Sequence, residues 1–506
     1  MEPSTLSLNS WAGRAPFDLK RVLLPVALAL IFIAVTLLFF PFRDKFQFDG
    51  DEGIELMKAM LVERGYPLYT QVWSDQPPLL THFIVAVFRL FGLQVNITRF
   101  AVLQLSAVLV WACCQFLRSV SGRASAVAGA LLIILLPFYL PLSVAVMAGL
   151  PSLAFAMLSL LALVAWHRQR GWIWLVLSAL ALSISILIKL ITAFLIPIFL
   201  AGILLAELSR LRWNVRLRAL LRPGLLWSVT LAAAMLALAF GLVGPGNFSQ
   251  LYQSHLGASV AIRREIFTIN YHLRDSLPLL ALAALGVLYT LLRKRWLALY
   301  LVAWMGIAYL LLSFLSPVWY HHQLLVTIPA AMLAAISVGE AFRSVPEIIR
   351  KRDIGVHYGV LAALSMAGLA LVFYDQVPDI LPGLESGANR VDAPLRASPI
   401  KEDVYQFVEL YAPETRWMVT DMPIFAFRFR LLVPPNLSAI SAKRLKSDLL
   451  GEEELRKTIH AYQPEQVLLR AKLPNLDSYL RQRYQLVYTR RDVDLYIRND
   501  LYARHQ

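Results

Sequence analysis

The stretch FDGDEGIELMKAM at residues 48–60 sets Asp49, Asp51 and Glu52 within four positions, just after the apolar run LLPVALALIFIAVTLLFFPF at 23–42. A carboxylate beside a bilayer is costly unless water, a cation or a task offsets it. Held ionised at the rim of a lipid-facing cavity, such a group suits a general base acting on an incoming hydroxyl or amine. The apolar spacing of Ile54, Met57, Met60 and Leu61 predicts a helix over 52–65 lying on the membrane surface, its charges on the opposite face. Asp49 and Asp51 then fall at the helix N-terminal end, where the dipole favours negative charge. Acid is scarce elsewhere: seven of the 16 acidic residues in 1–375 lie between Asp44 and Asp75, and 76–274 hold only Glu207 and Glu265. Asp44, Glu55 and Glu63 read as solvated charges, whereas Asp75, just before a Pro pair, reads as a substrate contact.

Chemistry on a phosphorylated substrate also needs cations near the membrane surface. Lys189 is the only charged residue between Arg170 and Glu207 and reads as a phosphate contact at a helix end. His255, Arg263, Arg264 and His272 lie in the loop 246–275, on a side where topology does not call for positive charge, and are read as donor or acceptor contacts. Tyr320, His321 and His322 open a late apolar span on the same side. Adjacent histidines diverge on a helix, which favours one phosphate or carboxylate contact over shared metal ligation. No metal site is assigned, although a divalent ion is compatible with the chemistry. Cys113 and Cys114 are neighbours in an apolar run, which disfavours a disulfide between them and leaves no structural zinc framework.

These residues must be positioned by a membrane protein. The chain has 506 residues, 58% of them hydrophobic, and a mean hydropathy of +0.60, and its repeated apolar runs of about 17–25 residues read as transmembrane helices. Basic loops at 210–222 (RLRWNVRLRALLR), 293–295 (RKR) and 343–352 (RSVPEIIRKR) mark the cytoplasmic side, as do Arg14, Lys20 and Arg21. Residues 42–76, 245–276 and the C-terminal region then lie outside. These anchors demand an odd number of crossings, whereas hydropathy shows twelve runs. Assigning the missing one to 124–166, where Pro137, Pro141 and Pro151 could break short helices, predicts about thirteen spans in a multi-pass protein of the plasma (inner) membrane. The net charge of +15 resides in this part, with 29 Lys and Arg against 16 Asp and Glu in 1–375 and 19 against 17 in 376–506. It therefore reports topology, not nucleic-acid binding. From about residue 376 the texture changes to short strands and amphipathic helices, such as RWMVTDMPIFAFRF, GEEELRKTIHAYQPEQVLLR and YQLVYTRRDVDLYIR, without a P-loop or GxGxxG. The fold class is mostly α: a membrane domain over 1–375 and an extracytoplasmic α/β domain over 376–506.

The order of several motifs resembles the GT-C superfamily, most closely its branch of protein O-mannosyltransferases and lipid A aminoarabinose transferases. They are the DE pair after the first span, GYPLY and DQPPL in the following loop, RLFG, the span pair around SILIKLITAFLIPIF, the late SPVWYHHQLLVTIP and the C-terminal TDMPIFAFRFRLLVPPNLSAIS. Together they cover almost the whole chain. The resemblance implies a GT-C-like fold and an enzyme that moves a hexosyl or pentosyl unit from a polyprenyl-phosphate donor to a lipid, glycan or protein acceptor on the outer face, with inversion. It implies Asp51 as the catalytic carboxylate, Glu52 as the second acid and Asp49 as a local alternative. Two positions depart from the pattern: 144–155 carries no acid, and Gln76 stands where several relatives have His or Lys. The competing readings are a transporter or flippase of lipid-linked sugars and a non-catalytic scaffold. Clustering of charge in one loop, without visible internal repeats, disfavours transport.

Overall fold

The computed structural model describes residues 20–43, 45–209, 217–253, 267–350, 356–388, 399–446, 449–490 and 492–506. The membrane part contains helices α1 (Lys20–Phe39), α2 (Gly50–Glu63), α3 (Leu79–Phe91), α4 (Val95–Ser121), α5 (Arg123–Ile134), α6 (Tyr139–Val144), α7 (Gly149–Gln169), α8 (Trp172–Ile188), α9 (Leu195–Leu208) and α10 (Leu217–Leu242). It continues with α11 (Ile269–Leu273), α12 (Leu277–Leu292), α13 (Leu299–Phe314), α14 (Leu324–Arg350) and α15 (Val356–Ala388). Among the described residues, nine stretches are long and apolar enough to cross a membrane, and three shorter apolar helices, α3, α5 and α8, match the remaining hydropathy peaks.

Among the described residues these make twelve apolar stretches, one fewer than the thirteen expected. Helix α3 has 13 residues, about 20 Å at 1.5 Å per residue, against a hydrocarbon layer of about 30 Å. It packs along α2, with Thr81 reaching Glu55 and Ile84 and Phe88 in the core around Leu56 and Met57. The segment 123–146, by contrast, crosses as one broken helix. It starts beside Ser121 at the far end of α4 and returns to donate Val146 N–H to Glu52. Counted without α3, the described residues hold eleven such stretches, the odd number that the basic loops demand.

Helix α14 is buried from Leu324 through Ala341, whereas α1 and α10 are mostly exposed, as helices facing lipid should be. Small residues allow the close approach at the centre: a side chain at Gly286 would meet the Leu333 carbonyl, and one at Gly339 would meet Ser125.

The C-terminal domain comprises α16 (Pro399–Tyr411), β1 (Met418–Thr420), α17 (Pro423–Arg428), α18 (Ala442–Lys446), α19 (Glu452–Tyr462), β2 (Gln466–Leu469), α20 (Pro474–Arg483), β3 (Tyr484–Arg490), β4 (Val493–Arg498) and α21 (Asn499–Arg504). Its sheet runs β1-β2-β4-β3, with β1 and β2 parallel and β3–β4 the closing antiparallel hairpin. This domain shares a core with α2 and α3, in which Leu56, Met57, Met60, Ile84 and Phe88 join Ile424, Phe425, Val467 and Leu495. Helix α17 lies so close on α2 that a Cβ at Gly53 would be 2.7 Å from the Ile424 nitrogen. Helix α2 is therefore not the surface helix that its periodicity predicts. Glu55 and Lys58, expected on a solvated face, are buried and paired at 2.7 Å, with Lys58 also donating to Ser74 at 3.2 Å. Helical periodicity registers apolar positions; it does not register a second protein surface arriving from 370 residues away.

Candidate active site

The N-terminus of α2 is built by Asp49 and Glu52, and between them they aim Asp51. Asp49 is the N-cap, its Oδ1 accepting the Asp51 N–H at 2.9 Å. Its Oδ2 accepts a hydrogen bond from the Tyr320 hydroxyl at 2.7 Å, which ties the cap to the start of α14. Phe138, held at φ 62°, packs its ring on Tyr320 at 4.9 Å.

Glu52 points the other way and is sealed. Arg99 donates Nε and Nη2 to its two oxygens at 2.8 and 2.7 Å. Phe48 N–H adds a third bond at 3.1 Å. Arg99 spends Nη1 on the carbonyls of Phe42 and Lys45 at 2.7 and 2.8 Å. Both side chains have no exposed surface. A bidentate Arg–carboxylate pair with its remaining donors satisfied fixes geometry, so Glu52 holds the chain on either side of Asp51 and has no face toward a substrate.

Asp51 is exposed to solvent at a helix end crowded by protein atoms. Its surroundings push its pKa up to about 7, first through burial and then through the like charge of Asp49, with smaller contributions from Glu55 and Asp75; Lys189 opposes them. Lys189 sits in an extended break, at φ −150°, between α8 and a short 3-10 turn at Leu190–Phe194. Burial brings it down to about 8, opposed chiefly by Asp51.

Lys189, His321 and His322 line a small cleft together with Ser152, Leu150 and Leu325. The cleft opens at the N-terminus of α7, where the Gly149 position faces open space and no side chain caps the helix. His321 Nδ1 is buried without a hydrogen-bond partner, while His322 Nδ1 accepts the Trp319 N–H at 3.2 Å. A lysine, two imidazoles and an uncapped helix N-terminus around one cleft make a site for an anion. Among the described residues, no three His, Cys, Asp or Glu side chains converge as metal ligands.

The structure thus brings Asp49, Asp51, Lys189, Tyr320, His321 and His322 together. Asp75 is half-buried in the same outer loop and bears electrostatically on Asp51. His272 stands near His321, on which it bears electrostatically, with its Nε2 bonded to the Val318 carbonyl at 2.9 Å. His255, Arg263, Arg264 and Asp44 lie outside the described residues. Two participants are absent from the sequence reading. Arg99 is the only charge between Arg89 and Arg118, the same signal that singled out Lys189. Lys443 of α18 bears electrostatically on Lys189, but within SAKRLK it carries no mark that distinguishes it from a solvated lysine.

Residues 75–243 match the family model described as dolichyl-phosphate-mannose-protein mannosyltransferase. No curated protein sequence is matched. Among solved structures, the fold is similar to that of ArnT from Cupriavidus metallidurans in the apo state, at 16% identity and a TM-score of 0.59, with 94% of this chain and 97% of that one covered. ArnT bound to undecaprenyl phosphate gives 15% identity and a TM-score of 0.58 over the same shares. The apo oligosaccharyltransferase of Archaeoglobus fulgidus gives 12% identity and a TM-score of 0.51 over 88% of this chain and 69% of that one.

Proposed function

We propose that this chain, which has the fold of the GT-C superfamily of membrane glycosyltransferases, moves a hexosyl or pentosyl unit from a polyprenyl-phosphate donor to a hydroxyl or amine of a lipid, glycan or protein acceptor. The observation that carries the reading is Lys189, set electrostatically against Asp51, in a cleft that also presents His321, His322 and an uncapped helix end. The likeness to a structure of ArnT bound to undecaprenyl phosphate supports the donor class.

In this reading the lipid chain lies along the bundle and the sugar phosphate enters the cleft. Lys189 and the N-terminus of α7 hold the phosphate and stabilise the charge that develops on it as the bond from the anomeric carbon to the phosphate oxygen breaks. Asp51 takes the acceptor proton while the acceptor oxygen or nitrogen bonds to that carbon. The electron pair of the broken bond stays on the departing polyprenyl phosphate. Attack from the face opposite the phosphate inverts the anomeric centre. Asp49 and Glu52 are positioning residues: one orients Asp51 through its N–H, and the other anchors the strand of chain beside it. The basic turn at 293–295, at the far end of the bundle, supports an arrangement with Asp51 and the C-terminal domain on the extracytoplasmic side of the inner membrane.

Transfer from a radiolabelled polyprenyl-phosphate sugar by the purified chain tests this. Wild type should turn over and Asp51→Asn should not. Equal turnover by both would remove Asp51 from the base role. Failure of both with every donor tried, alongside movement of the lipid across a vesicle, would favour a flippase.

A further inference from the structure

At the end of the bundle opposite Asp51, one carboxylate gathers three guanidiniums. Glu340 Oε1 accepts from Arg343 Nη1 at 2.7 Å, from Arg295 Nη2 at 3.2 Å and from Ser121 Oγ at 3.0 Å. Arg293 Nε stands 3.9 Å from Oε2. The carboxylate is sealed at 3% exposure, whereas the three arginine side chains are 34–39% exposed. The arrangement is built, not incidental. Gly122 turns at φ +91°, and a Cβ there would lie 2.6 Å from Arg343 Nη2. Arg295 Nη1 is held by the Val120 carbonyl at 3.0 Å. Arg293 stacks on Tyr358 at 4.5 Å.

Among the described residues, three cations on one anion leave two positive charges unspent, and Arg295 Nε is buried without a partner. The helical run from Tyr320 to Glu340 advances about 30 Å at 1.5 Å per residue, the thickness of the hydrocarbon layer, so the cluster lies at headgroup depth in the leaflet opposite Asp51. Exposed Leu291, Leu292, Trp296 and Phe342 flank it, offering apolar surface at the level of the first acyl carbons. Topology alone asks for dispersed, solvated lysines and arginines. It does not ask for guanidinium forks preset by a buried carboxylate, the geometry that suits phosphate oxygens.

We propose that Arg293, Arg295 and Arg343 form a binding site for the headgroup phosphate of an anionic phospholipid in that leaflet. The site is independent of the glycosyl-transfer reading.

The test places the full chain in phosphatidylcholine nanodiscs with or without phosphatidylglycerol, reading retained lipid by native mass spectrometry and the thermal midpoint. Wild type should retain phosphatidylglycerol over phosphatidylcholine and melt higher in its presence. Arg293→Gln, which breaks the longest of the contacts, should weaken retention about fivefold, and the Arg293→Gln/Arg343→Gln pair should abolish both effects. If the double variant does not fold, the single one carries the test. Equal retention of phosphatidylglycerol by wild type and Arg293→Gln would overturn the proposal. So would an equal rise in midpoint with inorganic phosphate in phosphatidylcholine discs, since the ligand would then be a free anion.

Discussion

The two polar ends of the bundle use the same device and leave opposite charge over. At the Asp51 end, Arg99 and Glu52 cancel inside a fully buried pair, and among the described residues the acids next to them are Asp49 and Asp51, with Lys189 bearing on Asp51. At the other end, Glu340 is sealed and the surplus is positive. In each case the enclosed pair spends its charge on fixing the backbone of several turns. The charge that can meet a ligand is the one left beside it. Asp51 and Glu52 show this at a distance of one residue: the same chemistry and the same helix turn, yet one faces a cleft and the other a guanidinium.

Replacing each of that pair in turn should separate chemistry from structure. Asp51→Asn should lower kcat by up to roughly 10⁴-fold if it removes a general base, with the thermal midpoint unchanged or raised, because a carboxylate crowded by Asp49 is relieved. Glu52→Gln should do the reverse. It leaves Arg99 charged and buried without its counter-ion, which costs about 3–5 kcal/mol of stability, read as a lower midpoint in detergent. The Glu52→Gln/Arg99→Met double variant should recover part of that loss, as removal of the orphaned charge predicts. If Glu52→Gln melts like wild type but is inactive, the contrast between the neighbours fails and Glu52 belongs to the chemistry.

Much of this was legible in the residues. Twelve apolar runs, the cluster 49–52, Lys189 and the Tyr320–His322 turn all carry local signals, since a charge isolated in apolar sequence marks itself. What the sequence did not expose is tertiary. That Glu55 is buried, and that α2 is sandwiched, depends on α17 arriving from the C-terminal domain. Gly53 was the only local hint, and its meaning required the partner. The shortness of α3, 13 residues, was not legible either, because the apolar run at 77–92 extends beyond the helix.

Gly53 gives the next smaller effect. Gly53→Ala places a methyl group 2.7 Å from the backbone nitrogen of Ile424, and overpacking of this kind costs about 1–3 kcal/mol. The strain should appear as earlier proteolytic release of the C-terminal domain, because α17 must shift and the core it shares with α2 is what holds that domain down. An alanine variant with wild-type protease resistance would show that the docking is softer than the close contact implies.

The finest test of the contrast is the pH profile of kcat/KM, which reports groups of the free enzyme. Asp51 must be ionised to accept a proton, and burial with Asp49 raises it to about 7, so activity should fall tenfold per pH unit below that value. Lys189 must be protonated to hold phosphate, and burial lowers it to about 8, so activity should fall again above that value. The groups bearing on the two are Asp49, Glu55 and Asp75 on the acid side and Lys443 on the basic side, so the limbs belong to a coupled set. Asp49→Asn removes the second largest cause of the Asp51 shift and leaves the largest, burial. The acid limb should therefore move down by a fraction of a pH unit without returning to the range of a solvated carboxylate. A limb that stays in place would mean that the group titrating near 7 is not Asp51, and that the surplus negative charge at this end serves some purpose other than accepting a proton.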